Sequence, residues 1–309
     1  MKEVHKPVLL QKVVELLAPK ANQNFVDVTC GFGGHAERIL ELTGPKGMVI
    51  GIDQDQEALK ASVERLRPFG GRFKPFLGSF TAIAEAVGRM PVNGGIIADL
   101  GVSSYQLETA ERGFSFMRVG PLDMRMNQGA KLKAETIVNE WPRERIAKIL
   151  KSYADERFAS RIATSIERER KKKTLKTTGE LAEVVKEAIP RKFWPKNIHP
   201  ATKTFQAIRM AVNDELNQLR QFLPEAIVLL ESRARLAVIT FHSREDALVK
   251  NFLRNQAKPC QCPPDFPECI CGKKPQIKIL TKKSVSATDQ EIAESPRSRS
   301  ARLTVAEKI

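Results

Sequence analysis

The stretch Val26-Asp27-Val28-Thr29-Cys30-Gly31-Phe32-Gly33-Gly34-His35-Ala36 decides the fold, because it places a glycine-rich turn between a strand-type run and a helix-type run. Glycine lets the backbone turn sharply and approach a ligand closely, and the following helix points its first N–H groups at that ligand. Residues 31–36 also fit the dinucleotide pattern G-x-G-x-x-A, which is weak when it stands alone. Its context strengthens it, since Asp53 ends the next strand-type run, where a carboxylate can accept both ribose hydroxyl hydrogens.

Outward from this turn, strand-type and helix-type patterns alternate through the first hundred residues. The order β-α-β-α-β-α-β is typical of half of a doubly wound parallel sheet, so the sequence predicts an α/β, Rossmann-like fold. The predicted strands are Phe25–Cys30, Met48–Ile52, Arg72–Leu77 and Gly94–Leu100, and the predicted helices between them are Gly34–Leu42, Gln54–Leu66 and Thr81–Arg89.

The pattern changes after Leu100, because helical segments then follow one another without a convincing strand until about residue 200. A strand-type run returns at Leu236–Phe241, after a long helical stretch from Ala201 to Ser232. The insertion is rich in basic residues, among them the run 170–173, and we interpret it as an RNA-binding substrate domain. The predicted domains are a sheet domain of residues 1–104 and 201–309, which ends in a basic C-terminal tail, and an all-helical insertion of residues 105–200.

The charge balance points to a polyanionic partner. The chain has 51 Lys and Arg against 36 Asp and Glu, a formal net charge of +15. Such an excess favours nucleic acid, because each contacted phosphate releases counterions on binding. No run of about 18 apolar residues is present, so we expect a cytoplasmic protein without a membrane span. The sequence leaves open whether the protein is a monomer or a homodimer.

A nicotinamide dinucleotide and S-adenosylmethionine both offer an adenosine ribose to Asp53, so this residue does not separate the two cofactors. Asp27 favours S-adenosylmethionine, because an acid inside the first strand commonly orients the amino-acid end of that cofactor in methyltransferases, whereas dehydrogenases usually have an apolar residue there. Phe80 follows the third predicted strand, where it either lines the adenine or packs in the core.

Several long motifs follow one another in order along nearly the whole chain. On these motifs the sequence resembles the family of small-subunit ribosomal RNA cytosine-N4 methyltransferases (methyltransferase H, formerly called MraW). The motifs are Gly94-Gly95-Ile96-Ile97-Ala98-Asp99-Leu100-Gly101-Val102-Ser103-Ser104, Glu111-Arg112-Gly113-Phe114-Ser115-Phe116, Gly120-Pro121-Leu122-Asp123-Met124-Arg125-Met126, His199-Pro200-Ala201-Thr202-Lys203-Thr204-Phe205-Gln206-Ala207-Ile208-Arg209, Asn213-Asp214-Glu215-Leu216, Phe241-His242-Ser243 and Pro296-Arg297-Ser298-Arg299-Ser300.

The resemblance implies a Rossmann-like S-adenosylmethionine-dependent methyltransferase domain interrupted by a helical substrate domain. It also implies that the substrate is a cytidine in the decoding region of 16S rRNA, presented on the small ribosomal subunit. The cofactor-binding residues that it implies are Gly33, Gly34, His35, Asp53, Phe80, Asp99 and Gln106.

The chemistry of the target amine singles out Asp99. The lone pair of cytosine N4 is delocalised into the ring, so an enzyme must orient the amine with an acceptor for its N–H groups. Asp99 ends the fourth predicted strand, where such an acceptor would sit, and is our catalytic candidate. Methylation at carbon 5 would instead need a cysteine nucleophile. Cys30 lies under the glycine loop and no Pro-Cys follows the fourth strand, so amine methylation is favoured.

Four of the five cysteines form a C-x-C-x₆-C-x-C array inside the Cys-rich loop 259–272. In a reducing compartment such clustering favours metal over disulfides, although reduced cysteines in a mobile loop are an equal alternative. Four thiolates satisfy tetrahedral Zn²⁺, so we predict one structural zinc. The candidate ligands are Cys260, Cys262, Cys269 and Cys271.

Two functions from other classes remain open at this point. The glycine pattern with Asp53 also suits an NAD-dependent oxidoreductase, although that function leaves the basic insertion unexplained. The net charge of +15 also suits a non-catalytic RNA-binding factor for ribosome assembly. Binding of NADH without binding of S-adenosylmethionine would favour the first, and the absence of methyl transfer to small subunits would favour the second.

Overall fold

The computed structural model describes residues 7–196, 198–260, 262 and 270–309, without the side chain of Arg297. The chain divides into two compact units. The first consists of Met1–Gly101 together with Asn217–Ile309, and the second of Val102–Leu216.

The described residues of the first unit build one mixed sheet. Its strands are β1 (Phe25–Asp27), β2 (Val49–Asp53), β3 (Phe73–Leu77), β4 (Gly95–Asp99), β5 (Arg235–Thr240), β6 (Ile277–Ile279), β7 (Val285–Ser286) and β8 (Arg302–Lys308). The order along the sheet is β3-β2-β1-β4-β5-β8-β6, with β7 paired to β8. Strands β1 to β5 are parallel, whereas β8 is antiparallel to both β5 and β6. The reversed β8 distinguishes this sheet from the all-parallel dinucleotide-binding sheet.

Helices cover both faces of this sheet, because alternate residues of each strand point to opposite sides. In β4, Ile96 belongs to the hydrophobic cluster of one face and Ile97 to that of the other. Helices α1 (Leu10–Leu17), α2 (Gly34–Leu42) and α3 (Gln56–Leu66) contribute to the face of Ile97. Helix α4 (Ile83–Val87) contributes to the face of Ile96, together with residues 219–230 and two buried residues of the helix Ser243–Ala257.

The described part of the second unit is helical around a single hydrophobic cluster. Its first helices are α5 (Ser104–Glu108), α6 (Ala134–Glu140), α7 (Arg143–Ala154), α8 (Ala159–Lys172) and α9 (Thr178–Ala188). The remaining helices of the chain are α10 (Thr202–Val212), α11 (Glu215–Leu229), α12 (Ser243–Ala257) and α13 (Asp289–Glu294).

The long stretch from Ala201 to Ser232 is helical over most of its length, as predicted, but it consists of two helices. It is broken between α10 and α11, where Asp214 has a positive φ of 49°. The buried side chain of Asn213 accepts a hydrogen bond from the Met126 N–H (2.8 Å) and donates one to the Met124 carbonyl (2.8 Å). Helix α10 belongs to the helical unit, so this unit ends at residue 216 and not at residue 200.

The C-terminal segment is part of the sheet and does not form an extended tail. Strand β8 lies between β5 and β6, and its Leu303 and Val305 are fully buried. Ser298, in the 3-10 turn before β8, is 2% exposed and donates a hydrogen bond to the Ser295 carbonyl (2.6 Å).

Within the described residues, no helix combines the length and the apolar character needed to cross a membrane.

Candidate functional site

Three aspartates end three neighbouring strands of the sheet. Asp53 closes β2, Asp27 closes β1 and Asp99 closes β4, and β1 lies between the other two strands. Because these strands are parallel, their carboxyl ends meet at one edge, which is where open α/β sheets bind ligands. We call Asp27, Asp53 and Asp99 the acidic edge.

The glycine loop is held against this edge by a hydrogen bond. The Gly31 N–H, at a φ of 51°, donates to Asp53 Oδ2 (2.7 Å), and the Asp55 N–H donates to Asp53 Oδ1 (2.8 Å). A side chain at Gly31 would meet nothing nearer than 3.9 Å, so open space lies in front of this residue. By contrast, a Cβ at Gly34 would lie 2.3 Å from Pro7, and one at Gly33 would lie 3.1 Å from Leu66. Close packing therefore explains Gly33 and Gly34, whereas Gly31 faces free volume.

Loss of hydration raises the pKa of all three aspartates of the acidic edge. It raises the pKa of Asp27 to about 7, with a smaller contribution from the nearby charge of Asp53. It raises the pKa of Asp53 to about 6, against hydrogen bonds from backbone N–H groups that lower it. The pKa of Asp99 lies well above its usual range, first because of burial and then because of the charges of Asp27 and Glu245. Such raised pKa values are typical of functional sites.

Two carboxylate oxygens of the acidic edge have no hydrogen-bond partner among the described residues. Asp27 Oδ1 accepts a hydrogen bond from the Thr29 N–H (3.2 Å), and Thr29 Oγ1 accepts one from the Asp99 N–H (2.6 Å). Asp27 Oδ2 and Asp99 Oδ1 are buried and bond to no residue that the structure describes. Buried acceptors without donors are costly. The arrangement is therefore suited to a ligand that brings positive charge and N–H donors.

Another acid, the buried Glu245, lies close enough to raise the pKa of Asp99. It occupies the first turn of α12, is 2% exposed, and accepts a hydrogen bond from the Phe241 N–H at Oε2 (3.0 Å). The His242 side chain caps the same helix, since its Nδ1 accepts from the Glu245 N–H (3.3 Å). Sequence reasoning assigned no role to Glu245, although it follows the Phe241-His242-Ser243 motif.

The remaining predicted cofactor residues occupy different settings. The His35 ring, in the first turn of α2, is 6% exposed and donates through Nε2 to the Val8 carbonyl (3.1 Å). Phe80 follows β3 and packs edge-to-face on Phe222, with the ring centres 5.4 Å apart. Gln106 lies in the second unit, where it forms a capping box with Ser103 at the start of α5. In the described residues the structure thus brings together Asp53, Asp99 and the loop of Gly33 and Gly34.

Cys30 sits directly under the loop and is sealed from solvent. It is 4% exposed, and its pKa is raised well above its ordinary value, mainly by burial and also by the charge of Asp27. The thiolate is the nucleophilic form of cysteine, so this residue is unsuited to attack on a base.

Comparison with known proteins identifies the family of this chain. The sequence profile of the MraW methylase family matches residues 2–309. The ribosomal RNA small subunit methyltransferase H of Symbiobacterium thermophilum is 47% identical over 99% of this chain and 96% of that protein. The protein of the same name from Geobacter sulfurreducens is 47% identical over 99% of each chain. The crystal structure of an rRNA methylase from Streptococcus thermophilus aligns over 99% of each chain, with 11% identity and a TM-score of 0.45. The chain therefore belongs to the MraW methylase family, a family of S-adenosylmethionine-dependent methyltransferases.

Proposed function

We propose that this protein transfers a methyl group from S-adenosylmethionine to the exocyclic N4 of a cytidine in the decoding region of 16S rRNA, in the cytoplasm. The names of the relatives support an rRNA substrate on the small ribosomal subunit. The acidic edge carries the proposal, since it offers three neighbouring carboxyl groups at the place where such sheets bind ligands. Two of these groups have a buried oxygen that bonds to no described residue.

The residues at this edge fit the cofactor. Asp53 would accept hydrogen bonds from the ribose hydroxyls, and the unpartnered Asp27 Oδ2 would accept one from the α-ammonium group. Phe80 would line the adenine, while Gly33, Gly34, His35 and Gln106 are assigned to the cofactor by resemblance alone. The cofactor supplies a methyl group on a positively charged sulfonium.

Asp99 is the proposed acceptor for the target amine. Its Oδ1 is buried without a partner, so it can receive a hydrogen bond from N4–H and hold the amine lone pair toward the methyl group. The Asp99 backbone is fixed by its N–H bond to Thr29 Oγ1 (2.6 Å). A strong base is unnecessary, because the proton can leave N4 after the methyl group has been transferred.

The state of Cys30 supports transfer to nitrogen over transfer to carbon 5. Transfer to carbon 5 needs a thiolate that attacks carbon 6 of the base. The only cysteine at this edge among the described residues is buried, and its pKa is raised by that burial. A route that uses only hydrogen-bond acceptors is therefore the one that these residues can perform.

Methylation of isolated ribosomal subunits tests the proposal. Purified protein, tritiated S-adenosylmethionine and small subunits from a strain lacking the enzyme should give labelled 16S rRNA, and mass spectrometry of its nucleosides should find N4-methylcytidine. Label found as 5-methylcytidine would overturn the proposed position. Absence of label, with S-adenosylmethionine bound normally, would instead support the non-catalytic assembly factor. Membership in a methylase family argues against the NAD-dependent oxidoreductase.

Asp27→Asn should separate binding from stability. In the apo protein the folded pKa of Asp27 (about 7) exceeds the ordinary value of 3.8, so the folded state holds the proton more tightly and stability falls as pH rises from about 4 to 7. Removing the titrating group should raise the free energy of unfolding at pH 8 by about 1 kcal/mol or more. The same change should weaken S-adenosylmethionine binding at least about tenfold, because a charge-assisted hydrogen bond is lost.

Calorimetric titration and chemical denaturation at pH 6 and pH 8 provide the measurements. Wild-type affinity should fall about tenfold from pH 8 to pH 6 as Asp27 becomes protonated, and the affinity of the variant should be nearly constant. Glu245 lies near the same edge as Asp53 and Asp99. Glu245→Gln is therefore the control, because it removes a nearby acid but keeps the proposed contact of Asp27 with the α-ammonium group. Equal pH dependence in wild type and Asp27→Asn would contradict the assignment.

Most side chains of the basic run 170–173 form hydrogen bonds or ion pairs with other groups of this protein. Arg170 donates to the carbonyls of Val138 (2.9 Å) and Trp141 (2.8 Å) at the end of α6. Lys172 pairs with Glu169 (3.1 Å) and Lys173 pairs with Glu180 (2.7 Å). Arg170 is thus structural, and reversing its charge would damage the fold before it tested RNA binding.

A second basic surface of this unit is better suited to RNA. Arg161 and Arg168 are seven residues apart on α8, so they share one face, together with the hydroxyl of Thr164. Nearby on the chain, the Arg157 guanidinium lies 4.9 Å from the centre of the Phe193 ring, which is 40% exposed. Proteins that bind single-stranded RNA combine basic side chains, which contact the phosphates, with exposed aromatic rings, which stack on the bases. Arg168 pairs with Glu169 (2.9 Å), so we restrict the name basic aromatic face to Arg157, Arg161 and Phe193.

Charge reversal on this face should weaken substrate binding. Arg157→Glu/Arg161→Glu should lower the affinity for small subunits about tenfold or more, and should reduce the slope of affinity against salt by about one for each phosphate that the variant no longer binds. Lys171→Glu/Lys172→Glu is the matched control, since it changes the net charge equally and lies at the other end of α8. Affinity measured by filter binding over a salt series separates the two variants. A larger loss of affinity in the lysine variant would place the RNA at the basic run instead.

A further inference from the structure

Three cysteines outside the proposed methyltransferase site converge in space. Cys260 is exposed and Cys262 and Cys271 are half-buried, and their Sγ atoms all lie within 4.8 Å of one another. Cys269, the remaining cysteine of the array, lies outside the described residues, so the geometric argument uses the other three. Cys271 is nine residues after Cys262 in the sequence, so the proximity of their sulfur atoms does not follow from sequence spacing alone.

We propose that Cys260, Cys262 and Cys271 hold one structural Zn²⁺ ion. Thiolate is the preferred structural ligand of zinc, and tetrahedral sites bring their sulfur atoms close to the separation found here. Cys269 stays the fourth ligand that the sequence predicts, outside the described residues. Each thiol releases its proton to solvent as it binds, so the metal is taken up without any change of oxidation state.

The charges along the segment suit a metal–thiolate centre. A zinc ion with three or four thiolates carries a net negative charge. Positively charged side chains flank the cysteines on both sides in the sequence: Lys258 before them, and Lys273 and Lys274 after them. These lysines compensate that charge, which would otherwise disfavour gathering several thiolates in one place.

The site lies far from the acidic edge, so the proposed zinc is structural. Helix α12 starts after β5 at the carboxyl edge of the sheet, and its 15 residues span roughly 22 Å toward the opposite edge. There the Gln276 N–H donates to the Gln256 carbonyl (3.0 Å), which joins the two ends of the cysteine segment. Ile277 then begins β6 opposite Lys308, whose N–H donates to the Ala234 carbonyl just before β5 begins. The proposed ion would therefore tie the end of α12 to the start of β6.

Metal analysis of the full chain, purified without chelator or a metal-affinity tag, tests this proposal. Elemental analysis should find about one zinc per chain, and Cys260→Ser, Cys262→Ser and Cys271→Ser should each lose most of it. Cys30→Ser is the matched control and should keep its zinc, because Cys30 is buried in the other part of the unit.

Cobalt provides a measurement that does not depend on the folding of any variant. Wild-type protein stripped of metal and reloaded with Co²⁺ should develop a sulfur-to-cobalt charge-transfer band and the intense visible bands of a tetrahedral site. Removal of the metal should leave the affinity for S-adenosylmethionine within about threefold, because the two sites lie at opposite edges of the sheet. Protein that is folded and zinc-free with all thiols reactive, or that contains disulfides among these cysteines, would overturn the proposal.

Discussion

Asp53→Ala should weaken the binding of S-adenosylmethionine by about tenfold to a hundredfold. One charge-assisted hydrogen bond to a ribose hydroxyl contributes about 1.5 kcal/mol, and the proposal gives Asp53 two of them. The substitution also removes the acceptor for the Gly31 N–H (2.7 Å), so the loop in front of the ligand loses its anchor. Isothermal titration of the purified variant against wild type measures the change directly.

Asp55→Ala is the control for damage to the local structure. Asp55 is buried two residues away and caps α3 by accepting a hydrogen bond from the Glu57 N–H (3.1 Å). Losing a helix cap should cost about 1 kcal/mol of stability but should leave the affinity within a few-fold of wild type. If both variants lose affinity equally, the effect comes from damage to the local structure and not from a ribose contact.

The sheet half of the fold could be predicted because its signals are local. Helix α2 follows a glycine with a φ of 78° and coincides with the predicted Gly34–Leu42. Helix α3 ends at Leu66, as predicted, and Asp55 caps its start by accepting a hydrogen bond from the Glu57 N–H. Caps and apolar spacing lie within a few residues of each other, so a single sequence reveals them.

The features that the sequence did not predict depend on contacts between distant parts of the chain. The end of α10 depends on Asn213 bonding to backbone groups near Met124, about ninety residues earlier. The structural role of Arg170 depends on carbonyls at the end of α6. Periodicity describes one helix at a time, so it shows neither where the helical stretch 201–232 divides nor which basic side chain bonds to another helix.

The sequence predicted the acids at the ends of the strands, but it did not predict the acid that a distant helix adds to them. Parallel pairing brings Asp27, Asp53 and Asp99 to one edge, as the strand-end positions suggested. Glu245 joins them from α12, 146 residues after Asp99, and no local pattern links the two. Its charge matters for the chemistry, because it helps to keep the pKa of Asp99 high until a positively charged ligand is present.

Asp99→Ala should lower the rate of methyl transfer by about a hundredfold to a thousandfold at saturating S-adenosylmethionine and RNA. Removing one preoriented hydrogen-bonding group from a reaction centre typically costs this much in kcat. In the variant nothing replaces the unpartnered Oδ1 that would orient N4–H. Single-turnover transfer of tritiated methyl to small subunits measures this rate apart from product release.

Asp99→Asn distinguishes an amine acceptor from a cofactor contact. Asparagine keeps one acceptor oxygen but does not ionise, so its transfer rate should be intermediate and independent of pH. The wild-type rate should rise with pH through the raised pKa of Asp99, because only the carboxylate is the stronger acceptor. An unchanged rate at saturation together with a weaker dissociation constant for S-adenosylmethionine would assign Asp99 to the cofactor. In that case the target amine would be oriented by backbone carbonyls among residues 100–104, which side-chain substitution leaves in place.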